Sequence, residues 1–111
     1  MRLYLCGGGS GKQISEAMLN FSKKINKEKP ILYIPLAMEE NKYDDCYNWF
    51  AAELKNVNLN KFEMIKSSLD LSKKDLANYS AIFIGGGNTY KLLGDIKKHS
   101  NYEKIMEYLN N

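Results

Sequence analysis

Apolar residues recur along the chain with two different spacings. Short runs rich in β-branched and aromatic residues, each bounded by Gly, Pro, Asn or Ser, predict buried strands. Apolar residues at i, i+3, i+4 and i+7 between these runs predict amphipathic helices. The predicted strands are 2–6, 30–34, 61–65 and 80–84, and the helices have their apolar positions within 14–25, 43–57, 90–96 and 102–109. A capping box at 72–75 predicts one further short helical turn, and another at 100–103 opens the last helix.

The alternation of strands and helices predicts a parallel sheet with right-handed crossovers. We expect a flavodoxin-like, three-layer α/β/α domain with the strand order 2-1-3-4. In that order the fourth strand is an open apolar edge, which predicts a homodimer formed through this edge. The ligand crevice should then lie beyond the carboxyl ends of the first and fourth strands.

Composition narrows the class of protein. The chain has 111 residues, 44% of them hydrophobic and 26% charged, which is typical of one soluble globular domain at most. The net charge is +3, with both signs mixed along the sequence, so we expect no nucleic-acid and no membrane partner. The apolar run at 2–6 is too short for a signal peptide or a membrane span, which favours a cytoplasmic protein. Cys6 and Cys46 lack metal-ligand spacing, so we interpret them as buried thiols and expect no metal and no cofactor.

The first strand ends in a glycine-rich segment, 7–12, that superficially resembles a phosphate loop. The Walker A spacing fails, because Cys6 stands where the first glycine belongs and Gln13 where the hydroxyl residue belongs. A tight turn with Ser10 as helix N-cap explains the segment better than a nucleophilic serine does. Free backbone N–H groups at a helix start can also hold an anion, and the candidate anion loop is Gly8, Gly9 and Ser10.

The fourth strand also ends in three glycines, Gly85, Gly86 and Gly87. Such a loop lets another group approach the backbone closely and leaves its N–H groups free to face a ligand. Preorganised backbone donors of this kind suit an oxyanion hole. The next two residues, Asn88 and Thr89, are candidates for helix caps and for polar contacts to substrate.

The run from Ile82 to Leu93, with its GGGNT segment, resembles the signature of the dipeptidase E family, the S51 serine peptidases, which are relatives of cyanophycinase. The run from Ile31 to Ala37 is similar to the second strand and the IP-x-A turn of that family. The resemblance implies the fold of class I glutamine amidotransferases and a serine-type hydrolysis of short, in the founding type aspartyl, peptides. It also implies that the backbone N–H of Gly87 faces the oxyanion, while Gly85 and Gly86 shape the loop and contact substrate.

The family's nucleophile stands on a Gly-x-Ser-Ala-Gly elbow that follows the helix after GGGNT. On this resemblance, residues 1–111 are the N-terminal half of the domain, and we expect the chain alone to be inactive. His99 is the sole histidine, and we interpret it as a capping or surface residue. We interpret the acidic pairs at 39–40 and 44–45 first as residues that complement a helix dipole and only second as contacts to substrate or metal. Two alternatives stay open: a flavodoxin-like module that binds a nucleotide or flavin, and a non-catalytic assembly module.

Overall fold

Four parallel strands form the central sheet in a computed structural model that describes residues 3–5, 23 and 28–110. For residues 3–5, 109 and 110 the description covers the backbone alone. Each strand lies within the range predicted from the sequence. The predicted helix at 14–25 and the glycine-rich segment 7–12 lie outside the described residues, apart from Lys23. The strands are β1 (Leu3–Leu5), β2 (Ile31–Ile34), β3 (Phe62–Met64) and β4 (Ala81–Ile84).

The strand order is β1-β4-β2-β3, so the predicted order 2-1-3-4 is wrong. Strand β4 pairs with β1 on one side and with β2 on the other, and Phe83 lies opposite both Tyr4 and Tyr33. The reason is visible in the side chains. All four residues of β4 are apolar and at most 5% exposed, as is typical of an interior parallel strand. Strand β3 carries the exposed Glu63 at its centre, which suits an edge.

Because β4 is paired on both sides, it is not an open edge. The homodimer predicted through this edge therefore loses its structural basis. The crevice also moves, because β3 and β4 lie on opposite sides of β2. The strand order reverses between β2 and β4, and open α/β sheets bind ligands at such a switch point. The segments after strands two and four, rather than one and four, therefore define the candidate site.

Helices pack on both faces of the sheet, which makes the fold α/β and compatible with a flavodoxin-like fold. Alternate residues of β2 and β4 point to opposite faces. On one face Phe50 and Leu54 share a core with Ile31 and Phe83. On the other face Ile105 belongs to a second core, which includes Ile82. None of the described helices has the length and apolarity needed to cross a bilayer. The helices are α1 (Tyr43–Asn56), α2 (Ser68–Ser72), α3 (Thr89–Lys97) and α4 (Asn101–Asn110), with 3-10 turns at Glu40–Lys42, Leu76–Asn78 and Lys98–Ser100.

The caps before β4 differ from those predicted at 72–75. Ser67 caps α2, because its Oγ accepts a hydrogen bond from the backbone N–H of Asp70 at 3.0 Å. Ser72 ends that helix instead of starting a turn. The helical turn expected before β4 does form, but Asp75 is its cap, accepting a hydrogen bond from the N–H of Ala77 at 3.1 Å.

Candidate functional site

Two loops meet at the carboxyl ends of β2 and β4. After β2, residues 35–38 form a tight turn in which the N–H of Met38 donates to the carbonyl of Pro35 at 2.9 Å. After β4, the N–H of Gly85 donates to the carbonyl of Ile34 at 3.1 Å and continues the strand pairing. At the other end of the glycine loop, the N–H of Asn88 donates to the carbonyl of Ala37 at 2.7 Å. The loop 85–88 is thus anchored to β2 and its turn at both ends.

The packing of this loop crowds side chains at two glycine positions. A Cβ on Gly85 would lie 3.0 Å from the hydroxyl oxygen of Tyr33. Gly87 has a φ of +147°, and a Cβ there would lie 2.5 Å from the carbonyl oxygen of Ala37. Glycine is required at 87 because the loop closes against the protein's own turn. The close backbone approach predicted from the three glycines therefore has a structural explanation of its own.

The same anchoring leaves backbone donors at the surface. Gly86 and Gly87 are exposed, and their N–H groups find no acceptor in the described part of the chain. Two adjacent donors without side chains, held on a rigid strand end, are suited to bind an anionic oxygen. Gly85, in contrast, has already used its N–H in the sheet.

Asn88 caps α3, as predicted. Its Oδ1 accepts hydrogen bonds from the N–H groups of Tyr90 at 3.0 Å and Lys91 at 3.2 Å. This use of Oδ1 fixes where the helix begins relative to the glycine loop. Thr89 is the first residue of α3 and is exposed beside the two free donors.

Lys91 ties the start of α3 to the turn after β2. Its Nζ donates to the carbonyl of Leu36 at 2.7 Å and pairs with Asp95 Oδ2 at 3.2 Å. Burial lowers the pKa of Lys91, but the bond to Asp95 and the proximity of Tyr43 outweigh burial, so its pKa is raised. Lys91 therefore stays charged, and the loop and the turn are held as one unit.

A cavity of about 370 Å³ opens beside the glycine loop, at the switch point between β2 and β4. The sequence marks its glycines and, as a secondary candidate for substrate contact, Asp45. It does not mark the other walls, which come from β2, the turn after it, the 3-10 turn Glu40–Lys42 and α1. The available signal was positional, since residues that follow two neighbouring parallel strands meet at the same edge of a sheet. The cavity is lined by Tyr33, Met38, Lys42, Asp45, Cys46, Trp49, Gly85 and Gly86.

Of the other residues named from the sequence, Asp45 and Cys46 line the cavity, and the rest lie away from it or outside the described residues. His99 is exposed in the 3-10 turn after α3 and has a φ of 56°. This position agrees with a surface role. Cys46 is a buried free thiol, as expected. Asp44 and Asp45 lie in the first turn of α1, where they complement the helix dipole, and Asp45 also lines the cavity. No cluster of metal-binding side chains occurs among the described residues. The candidate anion loop Gly8, Gly9 and Ser10 lies outside the described residues, as does Cys6.

Comparison with known proteins gives one finding about ancestry. The family model described as peptidase family S51 matches residues 3–111, nearly the whole chain. No curated protein and no solved structure gives a significant match. The family match favours a relationship with peptidases and does not favour the nucleotide- or flavin-binding alternative. With the GGGNT segment placed at the switch point of a parallel sheet, the chain belongs to peptidase family S51.

Proposed function

We propose that this chain forms part of a serine-type peptidase of the dipeptidase E kind, which hydrolyses short peptides, including aspartyl peptides, in the cytoplasm. The observation that carries the proposal is the pair of exposed backbone donors at Gly86 and Gly87, presented beside a cavity at the switch point. Membership of peptidase family S51 supports the reaction class. The free thiol of Cys46 supports a reducing compartment.

In this proposal the glycine loop stabilises the oxyanion of the tetrahedral intermediate. When a nucleophile attacks the scissile carbonyl, negative charge develops on its oxygen, and preorganised N–H groups lower the energy of that state. The N–H of Gly87 is the principal donor, and Gly86 lies beside it. Gly85 fixes the start of the loop through its bond to Ile34, and Asn88 fixes the end. Thr89 is placed to contact the peptide.

The nucleophile and its base come from outside residues 1–111 in this proposal. His99 is the sole histidine of the chain and is exposed in a turn, while the cavity lining formed by the described residues contains no histidine and no serine. Cys46, the thiol in that lining, has no histidine beside it to act as a base. Without a nucleophile and a base, only a small residual acceleration over water is expected.

The first test is the 111-residue chain alone, incubated with short peptides that include aspartyl dipeptides. We expect no turnover beyond that small residual acceleration over the uncatalysed rate. A longer chain that contains residues 1–111 together with a Gly-x-Ser-x-Gly elbow and a histidine should be active. Turnover by residues 1–111 alone, lost on Cys46→Ser, would overturn the proposed division of labour.

The second test removes one donor without adding a side chain. In the active protein that contains residues 1–111, replacing Gly87 by glycolic acid exchanges the backbone N–H for an ester oxygen. We expect kcat to fall by about 10²–10³, the usual effect of losing an oxyanion donor. The matched control is the same exchange at Gly85, whose N–H is bonded to Ile34. It should lower stability, but the kcat of the folded protein should fall far less than with the ester at 87, because the Gly85 N–H does not face the oxyanion. An unchanged kcat with the ester at 87 would exclude this donor from the mechanism.

A further inference from the structure

The cavity beside the glycine loop has a floor and a mouth of different character. Its buried wall is formed by Tyr33, Cys46 and Gly85, with the half-buried Met38 and Trp49 beside them. Its described lining is therefore mostly aromatic, thioether, thiol and glycine surface. An apolar concave site of about 370 Å³ falls within the range of small-ligand pockets, which is about 300–1,000 Å³.

The charged residues of the lining are exposed. Lys42 and Asp45 are both solvent-accessible, and neither makes an ion pair with a described residue. Their charges are opposite, so the described lining carries no excess of positive charge for an acidic ligand. Bringing an unpaired carboxylate into the apolar part of the cavity would be costly. An uncharged side chain could fill the same space with the polar ends of the ligand left at Lys42 and Asp45.

The cavity is continuous with the candidate oxyanion loop, because Gly86 lines it. A peptide whose carbonyl oxygen meets the N–H groups of Gly86 and Gly87 would have an adjacent side chain at the cavity mouth. The wall at Gly85 is kept open by the absence of a side chain, since a Cβ there would press on the Tyr33 ring.

We propose that this cavity is a specificity subsite that takes an apolar, preferably aromatic, side chain of the peptide substrate. The inference rests on the proposed peptidase function for the meaning of the site, but its binding chemistry can be tested without turnover. At this subsite an apolar side chain is a better ligand than an aspartyl side chain, so the aspartyl residue of an aspartyl peptide would occupy a different subsite.

The test uses Trp49, the sole tryptophan of the chain, as a reporter inside the cavity. N-acetylphenylalaninamide and N-acetylaspartate amide are titrated into the 111-residue chain while tryptophan fluorescence is recorded. We expect a saturable change with the phenylalanine probe and binding at least about tenfold weaker with the aspartate probe. Equal binding, stronger aspartate binding, or no response to either probe would overturn the subsite.

A pair of variants locates the binding. Cys46→Met adds volume to the cavity wall and should weaken the phenylalanine probe by about tenfold or more, whereas Cys46→Ala should retain it. Equal affinity in both variants would contradict the assignment. If Cys46→Met does not fold, alkylation of Cys46 in a Cys6→Ser background gives a second readout, since the chain has two cysteines. The phenylalanine probe should slow that alkylation, and an unchanged rate would contradict the proposal.

The failure of this subsite and of the peptidase function can be told apart. Loss of kcat with the ester at 87 together with no probe binding would leave the peptidase proposal standing and remove the subsite. Probe binding together with an unchanged kcat in the ester protein would leave the subsite standing and remove the proposed oxyanion role of Gly87.

Discussion

At the scale of single residues, Gly87 and Gly94 have opposite surroundings although both are exposed. Gly87 combines a φ of +147° with a hypothetical Cβ only 2.5 Å from Ala37, whereas a Cβ on Gly94 would meet nothing within 4 Å. We expect Gly87→Ala to destabilise the fold by about 1–3 kcal/mol through backbone strain and the clash. We expect Gly94→Ala, within α3, to stabilise it by about 0.4–1 kcal/mol. Urea unfolding of both variants is the measurement.

This pair also bears on the interpretation of Gly87 variants. A side chain at 87 disturbs the turn at Ala37, so a loss of activity in Gly87→Ala would mix folding with catalysis. For that reason the ester exchange is the better probe of the donor. Equal stability of Gly87→Ala and the wild type would show that the loop does not pack against Ala37 as described.

Tyr79 predicts a pH dependence of stability. Its hydroxyl donates to the Glu63 carboxylate, and burial first, then Glu63 and the nearby Asp70 and Asp75, raise the pKa of Tyr79 above its ordinary value of 10.0. As pH rises above 10, the unfolded chain loses this proton while the native chain keeps it. The unfolded state then binds fewer protons, so the free energy of unfolding falls with rising pH.

We expect Tyr79→Phe to lose less stability than the wild type between about pH 8 and about pH 11, because the titrating group is gone. Urea unfolding at the two pH values measures this difference. Tyr90→Phe is the matched control, since Tyr90 is 88% exposed. An equally steep fall in Tyr79→Phe would show that this hydroxyl is not the group responsible.

At the scale of elements, β4 is the interior strand on which the sheet depends. Phe83 is 5% exposed, and its ring lies 4.8 Å from that of Phe50 and 6.0 Å from that of Tyr33. We expect Phe83→Lys to unfold the chain. Removing a buried Phe ring costs about 3–5 kcal/mol, and the lysine adds a buried unpaired charge.

Circular dichroism and urea unfolding of Phe83→Lys check this prediction. Tyr90→Lys makes the same kind of change at an exposed site and should alter stability by about 0.5 kcal/mol or less. If Phe83→Lys stays folded and changes only the oligomeric state, β4 would be an edge strand, and the interior position described above would be wrong.

The positions of the elements could be predicted from the sequence, but their arrangement could not. Apolar runs and caps are local, so the bounds of β2 and β4 and the cap at Asn88 are accurate. Strand order depends on pairing between segments far apart along the chain. One local signal was available, the charged Glu63 at the centre of β3, because an interior parallel strand excludes such a residue.

The candidate site was predicted only in part for the same reason. Gly85 to Asn88 form a contiguous motif and stand out in the sequence. Lys42 and Trp49 reach the cavity only because β2 and β4 pair, and no local pattern marks them.

At the scale of the whole molecule, the strand order predicts a pattern of hydrogen exchange. Strands β2 and β4 are interior, while β3 is an edge. Amides in interior strands open mainly through global unfolding, whereas edge amides open locally. We therefore expect the slowest exchange at 31–34 and 81–84 and faster exchange at 62–64. NMR-detected exchange separates this order from 2-1-3-4, in which the third strand would be interior and the second and fourth would be edges.

The interior position of β4 also determines when the fold can form during synthesis. Strand β1 pairs with β4, the last of the four described strands to leave the ribosome, and β2 needs the same strand on one side. Among the described strands, only β2 and β3 can therefore pair before β4 has been synthesised. Until residues 81–84 emerge, the nascent chain holds an apolar strand edge at β2 that can template aggregation. A translational pause while residues 81–84 are still inside the ribosome would prolong that exposure, and a pause after they have emerged would not.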